Sequence, residues 1–178
     1  MARKIYKRRY YRSKGRWSSN IKTLTQTTIQ ATPNATFIGV QDLCVNPVQE
    51  DSRVSNIYTV KNVELSYELE CDGDENFAEG LTSYIMFVPQ GMTVAFDYPN
   101  QHPEYIMAYK FLGSPNLNQD QEGLSFNPGR NPQKIRTRLA RRLQTGDRLI
   151  LLVVGQNITN STKTLNFNGL VRWWTKAN

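Results

Sequence analysis

The sequence has 178 residues, 39% of them hydrophobic, and a formal net charge of +7. That length supports one domain with a substantial core and a short tail, and that apolar content excludes disorder over the whole chain. No apolar run approaches the ~18 residues of a membrane span, and two cysteines, Cys44 and Cys71, are too few for a disulfide scaffold or a zinc site.

The positive charge is segregated. Residues 1–22 hold Arg3, Lys4, Lys7, Arg8, Arg9, Arg12, Lys14, Arg16 and Lys22, and the first carboxylate is Asp42. Nine of the 22 basic residues lie in this stretch, leaving 13 against 15 acidic residues in the remainder. A near-neutral body with a basic arm points to a polyanionic partner. Tyr6, Tyr10, Tyr11 and Trp17 alternate with the cations. Cations neutralise phosphates with little regard to sequence, and flat rings stack on unpaired bases, so the arm suits single-stranded nucleic acid. Nothing in it supplies a rigid element for reading base edges. Such a cluster also serves as a nuclear import address. An organelle transit peptide is a competing reading, opposed by the tyrosines and the few apolar residues at helical spacing. The N-terminus has no apolar stretch of the secretory kind, so the chain is expected to be soluble and intracellular when made. On that reading the Asn-x-Thr triplets at Asn34, Asn157 and Asn160 are accidental.

Beyond the arm the apolar pattern has a period of two, the spacing of a strand with one buried face. A threonine-rich strand is expected over 22–31 and another over 36–45. Val63, Leu65, Tyr67, Leu69 and Cys71 then alternate with Glu64, Ser66, Glu68 and Glu70. Residues 84–88, 105–112 and 149–154 read as more fully buried strands, with prolines between or beside them. The 113–133 segment is long, polar and rich in Asn, Pro and Gly, the composition of a loop used for contacts or left disordered. In KIRTRLARRL, Ile135, Leu139 and Leu143 are spaced for a helix stripe. As a strand, which is favoured, the same segment places Lys134, Arg136 and Arg138 on one face as a basic row. Thr145-Gly146-Asp147 resembles a tight hairpin connection into 149–154. In the last strand Leu165, Phe167, Gly169, Val171 and Trp173 alternate with the others, so Trp173 and Trp174 point to opposite sides. One belongs to the core and the other needs cover elsewhere. Eight short strands without a good helix describe an all-β sandwich or barrel.

Catalytic chemistry is not supported. His102 is the single histidine, and no HExxH, phosphate-loop or nucleophile-elbow pattern occurs. Asp72, Asp74, Glu75 and Glu79 lack the spacing of a calcium loop and read as a solvated hairpin tip. No metal and no cofactor is expected. The expected nucleic-acid contacts are Arg3, Lys4, Tyr6, Lys7, Arg8, Arg9, Tyr10, Tyr11, Arg12, Lys14, Arg16 and Trp17 in the arm, with Lys134, Arg136 and Arg138 from the domain that begins at residue 23.

The succession of an RRYYR arm, TVKNVELSYELE, YIMFVPQGM, HPEYIMAYKFLG, RTRLARRLQTGDRLILLVVG and a terminal NGLVRWWTKAN resembles the capsid proteins of circular Rep-encoding single-stranded DNA (CRESS-DNA) viruses, the circovirus-like group. The resemblance implies a single eight-stranded jelly roll of two four-stranded sheets, in which KIRTRLARRL is a strand. It implies self-assembly of about 60 copies into a T=1 icosahedral shell, with circular single-stranded DNA as cargo and no membrane. The virion and, during assembly, the host nucleus are the expected locations, with host import receptors as further partners. The chain and its arm are short for circovirus coats, so no receptor site is carried over. A ribosomal-type RNA-binding protein and a satellite-virus coat packaging single-stranded RNA are the alternatives.

Overall fold

The computed structural model describes residues 16–46, 57–71, 77–113 and 132–177. Arg3 to Lys14 of the arm, Asp72, Asp74 and Glu75, most of the 113–133 loop and the side chain of Cys71 lie outside the described residues.

Among the described residues the nine strands are β1 (Ser18–Ala31), β2 (Thr36–Val45), β3 (Tyr58–Cys71), β4 (Ala78–Val88), β5 (Ile106–Gly113), β6 (Gln133–Thr137), β7 (Arg141–Leu143), β8 (Arg148–Asn157) and β9 (Lys163–Ala177). One four-residue helix, α1 (Tyr98–Gln101), and a 3-10 turn at Pro103–Tyr105 join β4 to β5. Antiparallel pairs nest about that connection: β4 with β5, β3 with β6, β2 with β8, and β1 with β9. They fall alternately into two sheets. Sheet A has the order β1-β9-β3-β6, with β7 also on β3, and sheet B the order β2-β8-β4-β5. A nested antiparallel hairpin rolled into two facing sheets is a jelly roll, so the all-β sandwich expected from the period-two pattern is the observed fold.

Between the sheets lies one apolar layer. Leu24 and Ile29 come from β1, Leu65, Tyr67 and Leu69 from β3, Phe167 and Val171 from β9, with Phe37, Leu81, Ile85, Leu151 and Val153 opposite. Gly39 and Gly155 carry no side chain there because Ile29 and Phe37 already occupy the space a Cβ would need. Tyr67 brings a phenol into this layer, and burial pushes its pKa up to about 12, with the Ser83 hydroxyl opposing the shift. A second cluster, Met86, Val88, Tyr98, Ile150 and Leu152, lies on the outer face of sheet B. Tyr98 of α1 belongs to it, so the β4–β5 connection covers that part of the face.

Several sequence expectations need correcting. The boundary drawn after Lys22 falls inside β1, where Ser18 to Lys22 pair with Thr175 to Val171. The strand expected over 133–143 is broken at 138–140. There the Thr137 hydroxyl oxygen accepts the Leu139 N–H at 3.1 Å, a local bond that competes with the sheet ladder. Leu139 is left exposed rather than buried beside Ile135. The turn at Gly146, φ 85°, is tight, with Asp147 N–H donating to Gln144 O at 3.0 Å. It is not a hairpin, because β7 belongs to sheet A and β8 to sheet B. The segment 105–112 is an edge strand from Ile106, with Tyr109 and Phe111 68% and 66% exposed, not a fully buried one.

The Asn157 triplet has a structural role. Asn157 is fully buried at the end of β8. Its amide donates to Ala31 O and Ser161 O, both at 2.9 Å, and its Oδ1 accepts from Thr159 N at 2.9 Å and Thr159 Oγ1 at 2.8 Å. It ties the β8–β9 turn to the end of β1. Asn157→Ala strands buried polar partners and is expected to cost about 2–4 kcal/mol. Asn160→Ala, on the exposed part of the same turn, is expected to stay within about 1 kcal/mol. Urea unfolding midpoints of the two variants check the difference.

Candidate nucleic-acid interface

A strand has two sides, and once the core claims one the register decides which residues share the other. On the outer face of sheet A, Arg136, Glu64, Arg172 and Ile21 stand in one cross-strand row. Lys134, Ser66, Leu170 and Thr23 form the next. On the other side come Lys61, Trp174 and Ser19, and beyond them Arg142, Thr59 and Lys176.

Keeping Lys61 and Glu64 on one face requires an irregularity. Val60 and Val63 are both buried, three residues apart, which unbroken alternation forbids. The register with β9 shifts between Lys61 and Glu64, and Asn62 takes φ 51°. An extra residue in a left-handed conformation, tolerated by asparagine, is a β-bulge.

Among the described residues this face carries six cations, Lys61, Lys134, Arg136, Arg142, Arg172 and Lys176, against the carboxylates of Glu64 and Glu68. Arg136 Nε meets Glu64 Oε1 at 3.0 Å. An exposed pair of this kind contributes about 0–1 kcal/mol, too little to hold the guanidinium against a phosphate. No described carboxylate is ion-paired with Lys134 or Arg172. Two indoles complete the surface. Lys61 Nζ lies 3.8 Å from the centroid of a Trp17 ring, and the Arg172 guanidinium lies 5.4 Å from Trp174. Trp173 packs against the core and Trp174 is half-buried on the outer face, so the two tryptophans take the two sides that alternation assigns them.

Of the contacts expected from sequence, Lys134 and Arg136 are exposed on β6 within this face, and Trp17 joins it through Lys61. Arg138 is exposed but falls in the break after β6, off the row. Arg16 lines a different cleft, at the open edge between β1 and β2. Lys61, Arg142, Arg172 and Lys176 were missed from sequence. They lie on three strands, and only cross-strand register brings them beside Lys134.

The outer face of sheet B is different. Beyond the part covered by α1, cross-strand rows set Tyr109, Tyr84, Leu152 and Val40 side by side, then Phe111, Thr82, Val154 and Ile38. Arg148 is tied to Asp42 at 3.2 Å near its edge. The sandwich therefore has one cationic face and one mainly apolar face.

The β1–β2 cleft holds Cys44, whose Sγ lies 3.5 Å from Tyr58 Oη. Burial pushes the thiol pKa up, opposed by the Tyr58 hydroxyl and by Lys22. Burial likewise raises that of Tyr58, with the Cys44 contact adding to the shift. A thiol held protonated is a poor nucleophile. Among the described residues no group of three or more His, Cys, Asp or Glu could hold a metal ion. His102 stacks on Tyr105 at 5.2 Å, with Nδ1 3.3 Å from Glu104, which accounts for it as a packed loop residue.

No family model matches the sequence, and no curated protein matches it. Among solved structures, 92% of the chain aligns with the infectious bursal disease virus Gx strain structure, covering 32% of that chain at 9% identity and a TM-score of 0.42. The decameric BFDV capsid protein aligns with 92% of the chain and 99% of its own length, at 10% identity and a TM-score of 0.35. A lipoprotein from Bacteroides thetaiotaomicron aligns with 85% of the chain and 89% of its own, at 9% identity and a TM-score of 0.39. The chain spans about a third of the length of the first of these. With identities this low, function is read from the geometry instead.

If this face contacts phosphates, each of Lys61→Ala, Lys134→Ala and Arg172→Ala is expected to flatten the slope of log K against log salt by about 0.7 for a single strand. Arg148→Ala, on sheet B, is expected to leave the slope unchanged. Fluorescence anisotropy of a labelled oligonucleotide across a NaCl series measures both.

Proposed function

We propose that the protein is a viral coat subunit that assembles with copies of itself and packages single-stranded DNA. The observation that carries this reading is the segregation of charge on the jelly roll. Six cations and two indoles share the outer face of sheet A, and the basic arm enters the fold through β1, the edge strand of that same sheet. A polyanion bound to that face turns it towards the interior of a shell and leaves the apolar strips of sheet B for other contacts. Arg3, Lys4, Tyr6, Lys7, Arg8, Arg9, Tyr10, Tyr11, Arg12, Lys14, Arg16 and Trp17 supply the charge and stacking of the arm in this reading, and Lys134, Arg136 and Arg138 the charge of the domain.

The motif succession that resembles circovirus-like capsid proteins supports the finer form of the proposal: a CRESS-DNA virus, a T=1 shell of about 60 copies, circular DNA as cargo, and an arm that also directs import into the host nucleus. Closed symmetry is the ordinary way for one chain to bury a repeated surface without forming open fibres.

Negative-stain microscopy and size-exclusion chromatography of the full chain, compared with a deletion of residues 1–15 that leaves Trp17 and β1 intact, test the reading. Closed particles of uniform size are expected, with the 260/280 nm absorbance ratio lowered by the deletion. Monomers or small oligomers under all assembly conditions would contradict a coat function. Nuclease treatment of the extracted contents distinguishes cargoes, with DNase sensitivity expected and RNase sensitivity pointing to an RNA coat.

A further inference from the structure

The cationic face is not flat. Between β1, β9, β3 and β6 it sinks into an open groove of about 520 Å³, within the ~300–1,000 Å³ usual for small-molecule sites. Its lining has a definite chemistry. Ile21 and Leu170, diagonal neighbours across the β1–β9 pair, are 59% and 46% exposed, an apolar patch beside charged and polar neighbours. Arg172 stands directly opposite Ile21 on one side, and Lys134 and Arg136 line the far wall on β6. Glu64 lies between the arginines, with Oε1 taken by Arg136 at 3.0 Å.

Apolar side chains to one side of cations on two strands, Arg172 on β9 and Lys134 and Arg136 on β6, fit a ligand whose flat apolar part lies to one side of two anionic groups. Duplex nucleic acid does not offer this, since its bases are stacked inward and only phosphates reach a flat surface. An unpaired nucleotide within a strand does. We propose that this groove is a base-binding subsite: one unpaired nucleobase lies against Ile21 and Leu170, with its flanking phosphates on Arg172 and on the Lys134–Arg136 pair. The inference rests on the nucleic-acid reading of the face and adds to it that the face distinguishes a strand with bases from a bare polyphosphate. Charge complementarity selects the polyanion, and the exposed Ile21–Leu170 pair selects the single strand.

The test compares the full chain with variants on two short labelled oligonucleotides of equal length and charge, one of thymidines and one of abasic spacers. Ile21→Thr and Leu170→Thr place β-branched threonine, favoured in strands, on exposed strand positions, and thermal melting confirms that they remain folded. The wild type is expected to bind the thymidine strand more tightly than the abasic one, through this site and the aromatic side chains of the arm together. The double variant is expected to lower that base-to-spacer ratio by roughly tenfold, the scale of one lost base contact, without changing the salt slope. Arg172→Ala and Lys134→Ala are expected to weaken both oligonucleotides and to flatten the slope. An unchanged base-to-spacer ratio in the double variant, with the cation variants still weakening binding, overturns the subsite and leaves the wider reading standing. Cation variants with no effect on either oligonucleotide overturn the nucleic-acid reading of the face itself, and the subsite with it.

Discussion

The apolar layer between the two sheets fixes which side of every strand is buried, and the cationic face follows from that constraint. Leu65 and Val171 must point inward to fill the core, so their neighbours Glu64, Ser66, Leu170 and Arg172 must point outward. Burial of one such side chain is worth about 1.5–3 kcal/mol, whereas the exposed Arg136–Glu64 pair contributes about 1 kcal/mol at most. Packing therefore sets the register, and the charges take the positions that register leaves. The bulge at Asn62 makes the point most directly. It lets both Val60 and Val63 reach the core while keeping Lys61 on the same face as Glu64.

The two outer faces solve different problems. Sheet A exposes cations that remain soluble on their own and gain free energy when counterions are released to solvent. Sheet B exposes Tyr109 and Phe111 on its edge strand and half-covers Tyr84, Ile38 and Val154. Aromatic side chains at an unpaired edge invite contact with another surface.

Much of the fold was legible because alternation is a strong signal where one face is buried. The runs 63–71 and 165–174 named their own inward residues, including the opposite sides of Trp173 and Trp174. What stayed hidden were features that depend on a second strand or on local competition. The Thr137 hydroxyl takes the Leu139 N–H and breaks the strand that the Lys134–Arg136–Arg138 alternation suggested. The turn at Gly146 looks like a hairpin in sequence yet carries the chain between sheets. Tyr109 and Phe111 read as buried by composition but sit on an edge. For the candidate site, Lys134, Arg136 and Trp17 were visible as parts of basic segments. Lys61, Arg172 and Lys176 were not, because each stands singly among apolar or polar neighbours and gains its company only through register.

The central claim is that the outer face of sheet A, not the arm alone, touches the packaged strand. Ultraviolet crosslinking of nucleic-acid-loaded particles, followed by peptide mass spectrometry, tests it directly. Adducts on peptides carrying Trp174 and Lys134, in addition to the arm, are the result the account predicts. Adducts confined to residues 1–15, or found on β2 and β5 of sheet B, would contradict it.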